Sequence, residues 1–458
     1  MSAPLSKPPV SAGAESRFSH RLDTLHEFAQ DVLSHAKKLG ASASEVDVSE
    51  GFGQSVTVRR DAVETIEYNR DKGIGVTVYL GQQKGHASTS DFSPTALRET
   101  VEAALNIARF TAPDPCAGLP EVELLATGSL DLDLYHPWLI SVDEAILLAQ
   151  RCEQAAFAVS PKITNSEGAT VSIQEGQFVS ANSLGFIGGF PTSRHYLSCS
   201  VIAGKNDAMQ RDDWYSTSRD PQRITAPEEI GDTAARRALA RLGARKIKTC
   251  EVPVLFEAPL AAGLIGSFVH AASGGSLYRK TSFLLDRLGK RVFSKKVQIS
   301  ERPHICGALA SSPFDNDGVA THDREVVVDG RLQAYFLSAY TARKLGMKTT
   351  GNAGGCHNLI VHSGKRDFAG LLKKMGRGLL VTELLGQGVN YVNGDYSRGA
   401  AGFWVEEGEI VHPVEEITIA GNLRDMFRNV AAVGKDVQAR GSKQVGSILI
   451  EEMKVAGN

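Results

Sequence analysis

The stretch "CEVPVLFEAPLAAGLIGSFVHAASGG", Cys250 to Gly275, changes its hydrophobic period midway, which restricts it to a strand running straight into a helix. Val252, Val254 and Phe256 alternate as a half-buried strand does. Leu260, Leu264, Phe268 and Val269 then recur at helical spacing, Pro259 stands where a first helical turn tolerates it, and glycines end the run. A zinc peptidase places two histidines and a glutamate on one face of such a helix. Here Glu257 has no histidine at either ligand spacing, and His270 is the only histidine between His195 and His304. The residues by themselves leave open whether this is an active-site helix or only a helix in the position of one.

Upstream, the order of elements repeats. Arg17 to Leu39 reads as a helix with Leu22, Leu25, Phe28, Ala29, Val32 and Leu33 on one face. From Ala43 to Ser90 the period is two, predicting a meander of short strands with glycine-containing turns. "SPTALRETVEAALNIARF" follows as a helix with Ser93 as N-cap and Pro94 first, and "TAPDPCAGLP" marks a boundary. A second helix begins at Ser141 with Glu144 at the capping-box position, strand-like runs cover Ala169 to Ile202 with a turn at "GFIGGFP", and Ile230 to Leu242 is helical again. Beyond Cys250 glycines become dense, and "VVDGRLQ" and "VEEGEIV" read as hairpins. The expectation is an α+β chain: a disordered tail over 1–20, helix–antiparallel-strand modules over 21–115 and 125–245, and a β-rich domain over 250–458.

Fifty basic residues against fifty-two acidic ones give a net charge of −2, which excludes nucleic-acid binding driven by bulk positive charge. The cysteines at 116, 152, 199, 250, 306 and 356 contain no C-x-x-C pair, so they read as reduced thiols. No apolar run is long enough to span a membrane, and the opening "MSAPLSKPPVSAGAES" lacks the apolar core of a secretory signal. These features predict a cytoplasmic protein.

Several chemistries are absent by inspection. There is no phosphate-binding G-x-x-x-x-G-K-[ST], no third glycine after any G-x-G, and no G-x-S-x-G elbow. "SHAK", Ser34 to Lys37, matches S-x-x-K but falls on the charged side of an amphipathic helix. His304 with Cys306, Cys356 with His357, and nearby His362 have the chemistry of zinc donors without a recognised ligand spacing, and buried cysteines with turn histidines account for them equally. In "YVNGDYSRGAAGFWVEEGEI", Asp395 and Arg398 flank an expected turn, and Gly399 to Gly402 would let another backbone approach closely. That stretch is either a groove for an extended peptide or a salt-bridged turn beside a tightly packed strand.

"GGSLYRKTSFLLDRLGKRVFS", "SSPFDNDGV", "SAYTARKLGMKTTGNAGGCHNL" and "GDYSRGAAGFWVEEGEIVHPVEEITIAGNL" resemble the C-terminal domain of the TldD/PmbA metallopeptidase family. "VYLGQQKGHASTSDFSP" and "APDPCAGLP" are similar to its N-terminal portion, so the resemblance runs from about Leu22 onward. It is to the PmbA (TldE) branch, the subunit lacking the metal motif. The resemblance implies a cytoplasmic two-chain peptidase acting on unfolded or modified peptides. A TldD-like partner would carry a zinc-type metal on an H-E-x-x-x-H helix with a downstream cysteine in C-G-K-D. Laying "EAPLAAGL" over the sister's "HEAVGHGL" puts Glu257 and Ala262 at the two histidine positions, and "VGKDVQ" puts Val433 at the cysteine. The implied role is to shape the substrate chamber, with no metal and no catalytic residue in this chain, and no membrane or direct nucleic-acid contact. Two rivals stand beside it: a self-sufficient metallopeptidase using His304, Cys306, Cys356, His357 or His362, and a non-enzymatic protein that regulates or binds partners.

Overall fold

Leu25, Ala29, Val32 and Ala36 lie on one face of α1 (Leu22–Lys38) and are fully buried, so this helix is held by an apolar stripe. The computed structural model describes residues 17–128 and 130–457, so most of the expected tail, residues 1–16, lies outside the described residues. The helix begins later than its periodicity suggests. Arg17 and His20 are drawn away instead, to the buried carboxylates of Glu175 and Glu50.

The expected short strands fuse into long ones. β1 (Ala43–Arg59) and β2 (Ala62–Leu80) pair along their whole length, and β3 (Gln83–Thr89) joins β2 from Ile74 onward. Glycines taken for turns lie inside the ladder: Gly51 sits opposite Asp71 on one side and Gly176 on the other. Paired backbones on both edges keep such a strand extended through residues of low strand propensity. The real turn is at Arg60–Asp61, both at positive φ, and the Glu153 carboxylate accepts both backbone N–H groups at 2.9 Å. α2 (Pro94–Phe110) closes the first module with its Ser93 cap in place.

The second module has the same order: α3 (Val142–Val159) with its Ser141–Glu144 capping box, then β4 (Ile163–Asn182), β5 (Ile187–Ala203), β6 (Gln210–Ser218) and α4 (Pro227–Ala240). β6, in "QRDDWYSTS", was not expected from the sequence. β1 and β4 pair antiparallel from Glu45–Asn182 to Val58–Ala169, joining the modules into one sheet ordered β3-β2-β1-β4-β5-β6. The sheet is a pseudo-two-fold arrangement centred near the Gly51–Gly176 pair. α1 and α2 cover one half with Val46, Val48, Ile74 and Val76, and α3 and α4 cover the other with Val56, Val171 and Leu197. The opposite face carries Thr57, Thr170, Ser172, Ser198 and Ser200, all half-exposed, as expected where only one side packs.

The C-terminal domain opens on β7 (Cys250–Phe256) and α5 (Ala258–Ala271), as the change of period predicts. A small sheet then collects β8 (Ile299–Glu301), β9 (Arg324–Val328), β10 (Arg331–Leu332) and β11 (Leu359–Val361). β12 (Gly378–Leu385), β13 (Asp395–Glu406) and β14 (Glu409–Asn422) follow, then β15 (Val430–Val433), β16 (Gln438–Ala439), β17 (Lys443–Val445) and β18 (Ile448–Ala456). The larger sheet runs β14-β13-β12-β7-β18-β15, and β14 also bonds β18, so its strands close into a barrel. Phe268 on α5 packs edge-on against Phe293 at 5.0 Å in the core of this domain. Both expected hairpin turns are present, with Asp329–Gly330 and Glu407–Gly408 at positive φ. Among the described residues no helix is long and apolar enough to cross a membrane. The α+β reading therefore holds: helix–strand modules followed by a β-rich domain.

Candidate functional site

β7 delivers Glu257 to the N-cap of α5, at the seam where the first sheet meets the C-terminal domain. A cleft of about 160 Å³ opens there, walled by β6, α4 and the end of β12. Arg237, on the last turn of α4, reaches both Glu257 oxygens at 2.9 and 3.1 Å and turns its Nε to Asp212 of β6 at 3.0 Å. Arg241 lies one turn on, on the same side of the chain, and pairs with Asp212 and Glu383. Arg440 lies over the Trp214 and Tyr215 rings, 4.0 and 4.1 Å from their centroids.

Burial pushes the Glu257 carboxyl above the ordinary carboxylate range, and Arg237 pulls it back. Burial likewise opposes the charge on Arg237, but Glu257 and Asp212 together hold that guanidinium above its usual value. Four arginines (211, 237, 241 and 440) face four carboxylates (212, 213, 257 and 383) around the cleft, leaving no net negative charge to hold a cation.

The other two residues that the resemblance lays over metal ligands, Ala262 and Val433, lie near Glu257 and carry no donor atom. Val433 on β15 pairs with Ile448, which pairs with Phe256, so the sheet register lines Val433 up with the residue just before Glu257. Ala262 is half-buried against the domain core, and Val433 is inside it. A zinc site needs three protein donors and an open position. One carboxylate bound at both oxygens, with a methyl and an isopropyl group, does not fit zinc. His270 is exposed at the far end of α5 and stacks on Tyr391 at 4.1 Å.

The rival donors are not brought together; among the described residues no three His, Cys, Asp or Glu side chains converge on a common point. His304 Nε2 lies 3.0 Å from the Thr321 hydroxyl in a groove of about 770 Å³, and Cys306 is exposed. His357 Nε2 contacts the Gly351 carbonyl, His362 contacts the Ser300 hydroxyl, and Cys356 faces Ser442. The His357 backbone N–H instead donates to Glu301, a buried carboxylate that also accepts from Arg324 at 2.6 Å and Asn352 at 2.9 Å. Ser34 and Lys37 lie exposed on α1.

Asp395 and Arg398 do not flank a turn. They lie on β13, whose backbone β14 pairs continuously through this stretch, and three residues apart they face opposite sides. The close backbone approach expected at Gly399 to Gly402 is real, but the approaching chain is β12: a Cβ on Gly402 would stand 1.9 Å from the Leu380 carbonyl oxygen. From Gly399 to Val405 β13 has β12 on one edge and β14 on the other, so no peptide adds to that part of the strand. Gly402→Ala is expected to cost about 1–3 kcal/mol through overpacking, measured by urea unfolding; an unchanged midpoint would mean that the strands part easily.

Arg237, Asp212, Arg241 and Arg440 were not singled out by sequence. The i, i+4 spacing of Arg237 and Arg241 is the one signal, and on a helix it reads as a solvated face.

Models of the PmbA/TldA metallopeptidase family match three segments: its domain 1 over residues 44–108, its central domain over 135–242 and its C-terminal domain over 249–457. The Metalloprotease PmbA of Escherichia coli O157:H7 is 49% identical over 440 residues, covering 95% of this chain and 98% of that one. A Haemophilus influenzae homologue of that protein is 50% identical, covering 92% and 94%. The fold is similar to the crystal structure of a Bacteroides thetaiotaomicron protein named as a candidate modulator of DNA gyrase, with a TM-score of 0.90, 26% identity, and coverage of 95% and 99%.

Proposed function

The chain belongs to the PmbA/TldA metallopeptidase family, and from that premise we propose that it is the non-catalytic subunit of a cytoplasmic two-chain peptidase. Its partner would be a TldD-like chain that holds a zinc-type ion and hydrolyses unfolded or modified peptides. The observation that carries this reading is the ion-paired head of α5. The only donor among the three ligand positions, Glu257, has both oxygens on Arg237, while Ala262 and Val433 offer hydrocarbon. In the partner this helix supplies the chemistry; here it supplies a rigid wall. The open face of the first sheet suits a chamber lining, because its Ser and Thr hydroxyls offer hydrogen bonds where an extended peptide backbone would pass, with the Glu167–Arg211 ion pair beside Ser200.

The test uses the purified chain with and without a TldD-like subunit. Alone, it should hold no stoichiometric zinc or iron after mild dialysis and cleave no unstructured peptide. Mixed, the pair should turn over. Glu257→Gln or His270→Ala in this chain should leave turnover unchanged, whereas loss of the partner's histidines abolishes it. Near-equimolar metal in the single chain, lost on His304→Ala or His357→Ala, would establish the self-sufficient reading instead. An inactive mixture would point to a binding protein.

A further inference from the structure

The charges around the Glu257 cleft balance, but they do not all pair. Arg237 takes Glu257 and Asp212, Arg241 takes Asp212 and Glu383, and Arg211 pairs with Glu167 of β4. One carboxylate and one guanidinium are left over. Asp213 of β6 and Arg440, in the link between β16 and β17, both line the cleft, and among the described residues neither enters an ion pair. They face one space without closing on each other.

Neither group is comfortable there. Burial and the neighbouring Asp212 push the Asp213 carboxyl above its ordinary range, against the pull of Arg211, Arg237 and Arg440. Burial likewise works against the charge on Arg440, which stands below its usual value despite the Tyr215 hydroxyl and Glu257. The guanidinium is nevertheless fixed in position, because it lies flat over the Trp214 and Tyr215 rings. In the same wall Thr382 carries a buried hydroxyl with no hydrogen-bond partner, an unmet polar group of a kind that is rare in folded proteins.

A ligand that answers both leftover charges must carry an anion and a cation close together. The cleft, at about 160 Å³, is well below the roughly 300 Å³ at which pockets for drug-sized molecules begin. A peptide is too large for it, and a peptide terminus brings only one of the two charges. A free amino acid brings both. Pro259 and Leu260 supply hydrocarbon to the wall, which suits a short side chain.

We propose that this cleft binds a small free amino acid, with its α-carboxylate on Arg440 and its α-ammonium on Asp213, across the seam between the first sheet and the C-terminal domain. The inference concerns the single chain and needs neither a metal nor a TldD-like partner, so its failure would leave the proposed function standing.

Equilibrium dialysis of the purified full chain against radiolabelled L-alanine or L-serine tests it. Saturable binding of at least one of them is expected, with a dissociation constant on the order of 1 mM. Propionate lacks the ammonium of alanine and ethylamine lacks its carboxylate. Each should compete about tenfold less well, because each leaves one charge in the cleft unanswered. That comparison is made on the wild-type chain and does not depend on any variant folding. Arg440→Gln and Asp213→Asn should each weaken binding by about tenfold. No saturable binding, equal competition by propionate or ethylamine, or binding unchanged in either variant would each overturn the proposal.

Discussion

Arg237→Ala is expected to lower the unfolding free energy by about 3–5 kcal/mol. The side chains of Glu257 and Asp212 are only 12% and 10% exposed, and both would remain in the cleft after their shared guanidinium is gone. Losing one partner of a buried ionic cluster costs far more than the cluster contributes relative to hydrocarbon, because the remaining charges are poorly solvated. The pairing of Arg237→Met with Glu257→Met should therefore recover most of the loss, with Asp212 still held by Arg241. Urea unfolding followed by tryptophan fluorescence reads this directly, since Trp214 lines the same cleft. A loss below about 1 kcal/mol would place the cluster in the class of solvated surface pairs and remove the rigid wall from the functional reading.

Glu301→Ala should cost a similar amount, about 3–5 kcal/mol, by a different route. Glu301 is 2% exposed and gathers three donors from separate segments: Arg324 of β9, the Asn352 side chain and the His357 backbone. Its removal leaves a partly buried guanidinium without its counter-ion, held only by the Tyr335 carbonyl and Asn352 Oδ1, and leaves the Arg324 Nε–H and two further donors unpaired. Glu301→Gln keeps an acceptor for Asn352 and His357 but turns an amide toward Arg324, so it should fall between the wild type and alanine. Thermal unfolding of the three proteins should rank them in that order; equal stability of the alanine and glutamine forms would show that the Arg324 pair accounts for the whole effect.

Features encoded within a few residues were legible in the sequence. Ser93 with Pro94, the Ser141–Glu144 box, the two Gly-containing hairpins and the period change at Glu257 all depend on local backbone chemistry, and all appear where expected. The misreadings share one cause, which is that neighbours distant in sequence decide the outcome. Gly51 and Gly53 look like turn residues until β2 and β4 are laid on either side of them. Asp395 and Arg398 look like the shoulders of a turn until β14 pairs with them. The site shows the same limit. The absence of histidines around Glu257 could be read from the chain, but what replaced the metal could not. Arg237 lies on another domain's helix, and no local pattern marks an arginine that will meet a particular carboxylate.

The placement of β18 has a consequence for synthesis. The first sheet is assembled from consecutive strands and helices, so it can form while the remainder of the chain is still being translated. The barrel cannot. β7, the first strand of its domain, takes β18 as one neighbour, and β18 also reaches β14 and β15. Until Ile448 to Ala456 clear the ribosome, β7 has an open edge and α5 covers an incomplete core. A finished amino-terminal half therefore waits on a late strand, and during that interval the nascent chain exposes the apolar interior of a domain whose last wall has yet to be made.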